Sequence, residues 1–112
     1  MSIRILTGRL KGRRLFVPPG QEVRPTSERA RAALFNILAH GVPRLVGARF
    51  LDLFAGTGAI GLEAWSRGAK EVLLVEREPT ARAAIERNLR ALAVGNWVQL
   101  LAADATRLGR NP

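Results

Sequence analysis

A chain of 112 residues, 47% hydrophobic and 24% charged, has the size and composition of one globular domain. It has no cysteine and one histidine, which excludes a disulfide framework, a thiolate metal site and an imidazole cluster. It also lacks the roughly 20-residue apolar run of a membrane span and the apolar core of a secretory signal. These features make a cytoplasmic protein with no metal and no membrane the expectation. Eighteen basic residues against nine acidic ones give a net charge of +9, which favours a polyanionic partner.

Residues 3–6 (Ile-Arg-Ile-Leu) and 14–17 (Arg-Leu-Phe-Val) are β-prone runs on either side of a loop with glycine at 8 and 12. That pattern predicts a β-hairpin, and Pro18-Pro19-Gly20 ends it, because proline removes a ladder donor and glycine permits a turn. Residues 1–31 hold eight basic side chains and only Glu22 and Glu28 as acids, a net of +6, whereas the other 81 residues carry +3. Arginine richness from codon usage alone would spread along the chain. The excess at one end points instead to nucleic acid, since each phosphate neutralised releases condensed counterions. Residues 1–25 are therefore read as a basic RNA-binding arm, with Arg4, Arg9, Lys11, Arg13, Arg14 and Arg24 as the contacts.

A helix is predicted from Thr26 or Ser27, either of which can cap it, with Glu28 near the positive end of its dipole. Ala30, Ala33, Leu34, Ile37 and Leu38 form its apolar stripe, Arg29 and Arg31 fall outside that stripe toward solvent or RNA, and Gly41 and Pro43 stop it. Beyond it, residues 50–54 read as a buried strand, and residues 71–75 and 97–101 as two further strands. Residues 59–67 and 79–93 read as helices, the second with Ile85, Leu89 and Leu92 on one face. This alternation predicts an α/β fold with a parallel sheet and right-handed crossovers.

The stretch Asp52-Leu-Phe-Ala-Gly-Thr-Gly-Ala-Ile-Gly61 sets Gly56, Gly58 and Gly61 in a G-x-G-x-x-G pattern between a strand and a helix. Such glycines allow a tight turn and close approach of a ligand to the backbone. Glu76 follows Gly56 by twenty residues, at the end of the second strand, where an acid can accept bonds from ribose hydroxyls. Asp52 discriminates between ligands. Its carboxylate would repel the pyrophosphate of a dinucleotide but attract the ammonium and sulfonium of S-adenosylmethionine. Asp104, just past the third strand, could accept from an adenine amino group or cap a helix. His40 is read as a helix-end residue, Trp65 and Trp97 as core or sheet-covering residues, and Glu63 as solvated.

These residues together resemble the bacterial small-subunit ribosomal RNA methyltransferase D family, which methylates the exocyclic N2 of a guanine in 16S rRNA. The resemblance rests on Arg4-Ile with Gly8, Gly12-Arg-Arg-Leu15, Arg24-Pro-Thr26, the Arg31…Leu34-Phe-Asn36 helix, the run from Asp52 to Ala64, Glu76 and Asp104-Ala105. It implies a Rossmann-like class I S-adenosylmethionine-dependent methyltransferase with a basic N-terminal β-hairpin arm. Residues 26–112 would then be the N-terminal part of the methyltransferase domain. Asp52, Gly56 and Gly58 would hold the methionine end, Glu76 the ribose, and Asp104 with Ala105 the adenine. The partner would be 16S rRNA or the small ribosomal subunit.

The family's Asp/Asn-Pro-Pro-Tyr motif, which orients the target amine, has no counterpart here. Thr106-Arg-Leu-Gly-Arg110 is no apolar strand, and the chain contains no tyrosine, so the Asn111-Pro112 pair is not taken as the motif. No catalytic residue is therefore assigned. The sequence is expected to be part of a longer enzyme, or all that is retained of one, and to transfer no methyl group alone. Two alternatives stay open: a non-catalytic RNA-binding module on a Rossmann half-fold, and a nucleotide-dependent oxidoreductase, which Asp52 disfavours.

Overall fold

Alternating Ile and Arg in the first run, and Arg-Leu-Phe in the second, close into antiparallel strands β1 (Ser2–Arg4) and β2 (Arg14–Phe16), with Ile3 opposite Leu15 and Arg4 opposite Arg14. A computed structural model describes residues 2–18, 27–41, 44–104 and 106 of the chain. Pro19, Gly20, Arg24, Thr26, Pro43, Ala105 and the Asn111-Pro112 pair lie outside them. The hairpin is built into the body of the molecule: Ile3, Ile5, Leu10, Leu15 and Val17 share one core with Phe35, Leu62, Leu74 and Ile85.

Helix α1 (Glu28–Ala39) starts at Ser27, whose hydroxyl accepts from the Ala30 N–H at 3.1 Å. Its buried face is not the predicted one. Arg31 and Phe35 are buried and Leu38 half-buried, whereas Ala30, Ala33, Leu34 and Ile37 are exposed, Ile37 to 69%. Glu63 explains the rotation. This carboxylate is fully buried instead of solvated, accepts from the Leu6 and Thr7 backbone N–H groups at 2.8 and 3.1 Å, and meets Arg67 Nε at 2.9 Å. Arg31 Nη1 stands 3.7 Å from its other oxygen, while Arg31 Nη2 donates to the Arg4 carbonyl at 2.8 Å. A buried acid needs a buried cation, and Arg31 supplies it at the expense of the apolar stripe. Burial lowers the Arg31 pKa, with Glu63 opposing the shift.

The remaining elements are β3 (Arg49–Asp52), α2 (Ala59–Ser66), β4 (Glu71–Glu76), α3 (Pro79–Leu92), a 3₁₀ turn at Gly95–Trp97 and β5 (Val98–Ala102). The strands form a parallel sheet in the order β3-β4-β5. Phe50, Val72 and Val98 align across it toward α2 and α3, and Leu51, Leu73 and Gln99 align on the other face. On that second face Leu51 is 55% and Trp97 54% exposed, so Trp97 is not a core residue, unlike Trp65.

Two close fits fix the helices. A Cβ on Gly61 would run into the terminal methyl of Leu74, so glycine at that position lets α2 sit close on β4 without displacing that side chain. Asn88, buried on α3, accepts from the Phe16 N–H at 2.7 Å and donates to the Phe16 carbonyl at 3.0 Å, clamping β2 from the side.

Removing Glu63 strands Arg31 as an unpaired buried cation, a loss of about 3–5 kcal/mol by precedent for broken buried pairs. In denaturant unfolding of the full-length protein, Glu63→Ala and Arg31→Met are each expected to destabilise strongly, and the double variant by less than their sum. Additive losses would show that the two charges do not support one another.

Candidate functional site

The carboxyl ends of β3, β4 and β5 carry Asp52, Glu76 and Asp104, and the glycine loop crosses between the first two. Gly56 and Gly58 hold φ of +56° and +83°, left-handed conformations that few side chains tolerate. The loop is tied to β4 at two points. The Ala55 N–H donates to the Val75 carbonyl at 3.0 Å, and the Gly56 N–H donates to Glu76 Oε1 at 2.8 Å. Glu76 Oε2 accepts from the N–H groups of Arg77 and Glu78 at 3.1 and 3.0 Å. The Glu78 carboxylate in turn caps α3 through the Thr80 and Ala81 N–H groups, which hold its pKa below the usual range.

Asp52 is half-buried, and burial pushes its carboxyl up. The Phe54 N–H, which donates to it at 3.2 Å, opposes that shift, and the charge of Glu76 adds to it. Asp104 goes the other way. Its Oδ1 accepts from the Thr106 hydroxyl and N–H at 2.7 and 2.9 Å, and Arg77 lies 3.4 Å from Oδ2, so its pKa is lowered.

Between Glu76 and Asp104 lies a cleft of about 260 Å³, with Leu53, Phe54, Arg77 and Thr106 as further walls. Asp52 does not line it and sits at the root of the loop beside it. The structure thus brings Gly56 and Glu76 into direct contact and sets Asp104 across a cleft from Glu76, while Ala105 lies outside the described residues. Sequence reasoning passed over Phe54, 74% exposed at the loop tip, and Arg77. A large aromatic inside a glycine turn and a cation next to the strand-end acid were the available signals.

The basic candidates are exposed but mostly engaged. Arg4 pairs with Glu28 at 3.1 Å, the Arg9 guanidinium lies 4.1 Å over the Trp65 ring, and Arg13 Nη2 donates to the Ala91 carbonyl at 3.1 Å. Lys11 and Arg14 are exposed on the same hairpin, and Arg24 lies outside the described residues. Arg87 of α3, absent from the sequence-based set, covers the Phe16 ring at 3.8 Å. Among the described residues there is no cluster of three or more potential metal ligands and no helix long and apolar enough to cross a membrane.

Comparison with known proteins follows the same lines. Residues 3–112 match the family model described as conserved hypothetical protein 95. The chain is 46% identical over 95 residues to ribosomal RNA small subunit methyltransferase D of Escherichia coli K12, covering 85% of this chain and 46% of that protein. It is 39% identical over 91 residues to the protein of the same name from Haemophilus influenzae, covering 81% and 46%. Among solved structures, the yhhF protein of Escherichia coli superposes with a TM-score of 0.81 at 39% identity, covering 94% of this chain and 54% of that one. A hypothetical protein of a Thermus species superposes at 0.77 and 42% identity, covering 90% and 55%. The chain spans about half the length of the curated relatives it matches.

A hydrogen bond to a charged acceptor contributes about 1.5–3 kcal/mol, so Glu76→Ala is expected to speed amide exchange at Gly56 by about ten- to a hundredfold. Glu76→Gln, which keeps one acceptor oxygen, should fall between. Unchanged exchange at Gly56 in the alanine variant would mean that the loop is held without Glu76.

Proposed function

The chain belongs to the ribosomal RNA small subunit methyltransferase D family, and on that premise we propose that it forms the cofactor-binding part of an enzyme that methylates the exocyclic N2 of a guanine in 16S rRNA, with S-adenosylmethionine as donor. The observation that carries this reading is the run of acids at successive strand ends around the glycine loop, with Asp52 at its root.

The donor set suits this cofactor. Asp52 offers a carboxylate to a cationic ligand at the place where a dinucleotide would bring pyrophosphate. Glu76 Oε1 accepts one backbone bond and has a second lone pair available to a ribose hydroxyl, whereas Oε2 is taken up by two backbone N–H groups. The cleft toward Asp104 and the exposed Phe54 ring fit a flat heterocycle with an amino edge. S-Adenosylmethionine would supply an electrophilic methyl group on a positively charged sulfur. The protein's part is placement: backbone groups at Gly56 and Gly58 receive the methionine end, and the tethered loop keeps it fixed, which is a proximity contribution. Orientation of the guanine amine falls to the family's Asp/Asn-Pro-Pro-Tyr motif, which this sequence does not contain. The hairpin, through Arg4, Arg9, Lys11, Arg13 and Arg14, would contact the rRNA in the cytoplasm, where small subunits assemble.

The test uses the full-length protein with labelled cofactor and small ribosomal subunits lacking the modification. Label is expected in 16S rRNA, on guanine N2 after digestion. RNA binding without transfer would favour a binding module, and preference for NAD over S-adenosylhomocysteine would favour an oxidoreductase. Asp52→Asn should weaken cofactor binding by about tenfold or more, as a charge-assisted contact is lost. The Asp52 pKa is raised, so the carboxylate neutralises at a higher pH than an ordinary aspartate. Wild-type affinity for the cationic methionine end should therefore fall as the pH drops toward that raised value, and the asparagine variant should show no such step. A step of equal size in both proteins would remove Asp52 from the site.

A further inference from the structure

We propose that a cleft at the opposite edge of the sheet, between the hairpin loop, α1 and the end of α2, is a second docking site for RNA phosphate. The cleft encloses about 660 Å³, and its walls include Arg9, Arg44, Arg67, Phe35, Val46 and Gly68. Val46 and Gly68 precede β3 and β4, whereas the glycine loop follows β3. Strands of four to six residues at about 3.3 Å per residue separate the two edges by roughly 13–20 Å. The inference rests on the RNA substrate proposed above; the cleft shares Arg9 with the hairpin's contact and extends it to Arg44 and Arg67, remote from methyl transfer.

Three guanidinium groups face the cleft and no carboxylate lines it. Glu63 lies behind it, fully buried and already engaged by Arg31, Arg67 and two backbone N–H groups. Arg9 is stacked over Trp65 and Arg67 over Phe35, at 4.1 and 4.8 Å. Stacking fixes the plane of a guanidinium and leaves N–H edges to grip a phosphate in two-point fashion. Arg44 is exposed and makes no ion pair among the described residues.

Capping of the helix does not account for these cations. The carbonyls of Glu63, Ala64, Trp65 and Ser66 at the end of α2 already accept from the N–H groups of Arg67, Ala69, Gly68 and Arg9. The cleft wall is also preorganised. Ser66 Oγ accepts from the Leu10 N–H at 2.9 Å and donates to the Thr7 carbonyl at 2.6 Å, while the Arg9 N–H donates to the Ser66 carbonyl at 2.9 Å. A Cβ on Gly8, whose φ is +93°, would collide with that carbonyl oxygen, so the loop reaches α2 only as glycine. Two stacked cations, the exposed Arg44 and the exposed Val46 side chain suit an unpaired RNA segment, whose phosphates and exposed bases or sugars are both available.

The experiment compares wild type, Arg44→Glu and Arg44→Lys in the full-length enzyme. It reads cofactor affinity, kcat and KM for small subunits, the binding of inorganic phosphate, and the salt dependence of RNA binding. Arg44→Glu is expected to raise KM by about tenfold and to reduce the salt slope by about one phosphate contact. The same variant should leave cofactor affinity and kcat unchanged, and Arg44→Lys should recover most of the loss. An unchanged KM and salt slope in Arg44→Glu would overturn the site even if the wild type methylates rRNA. So would loss of inorganic phosphate binding with RNA binding intact, which would make it a small-anion site. A wild type that binds RNA but transfers no methyl group would sink the proposed activity alone, and the salt slope would still decide this site.

Discussion

The Glu63 carboxylate is the constraint on which the arrangement of the other elements depends. It is sealed from solvent and must find its stabilisation inside the protein, where an unpaired charge is prohibitive. Its partners come from three separate places: the backbone of the hairpin loop, the start of α1 and the end of α2. A geometry that satisfies all of them at once sets the position of the hairpin against α2 and the rotation of α1 about its axis. Arg31 Nε and Nη1 have no hydrogen-bond acceptor even so, which leaves the long contact to Glu63 to act through charge and not through a directed bond. The basic hairpin is thereby made a fixed part of the surface and not a loose appendage.

At the other edge of the sheet a second acid does comparable work in the open. Glu76 gathers three backbone N–H groups, one from the glycine loop and two from the turn that opens α3. The loop that would meet the methionine end and the strand end that would meet the ribose are therefore one mechanical unit. The neighbouring acids differ in character for local reasons. Asp52 is disfavoured as an anion by burial, whereas Asp104 is favoured by the Thr106 hydroxyl and amide beside it. A site that offers one easily neutralised carboxylate and one firmly ionised carboxylate is asymmetric along its length.

Much of this was legible in the residues, and the exceptions share a cause. Most strand and helix spans followed from apolar runs and glycine stops, and the parallel sheet agrees with the alternation of elements; the run 50–54 is not a buried strand, since β3 stops at Asp52 and leaves Leu53 and Phe54 exposed in the turn into the glycine loop. The places of the glycine loop and of Asp52, Glu76 and Asp104 at successive strand ends could be read because they follow from glycines and strand ends along the chain. Arg31 and Glu63 were misplaced because each is ordinary by itself. Only their meeting, across 32 residues of sequence, makes burial possible, and no local pattern encodes that. The same error displaced the apolar stripe of α1 to the wrong face. Trp65 and Trp97 were read as core or sheet-covering residues: Trp65 is in the core, and Trp97 is half-exposed on a sheet face that α2 and α3 do not cover.

Asn88 carries a consequence of a different kind. An isolated two-stranded ribbon presents an unpaired backbone edge, and such edges recruit strands from other molecules. By taking both the N–H and the carbonyl of Phe16, the Asn88 amide occupies the place on β2 where a foreign strand would begin to pair. The side chain thus guards against self-association as well as holding the hairpin down. An apolar residue at that position would leave the ribbon looser and its backbone edge open to a foreign strand.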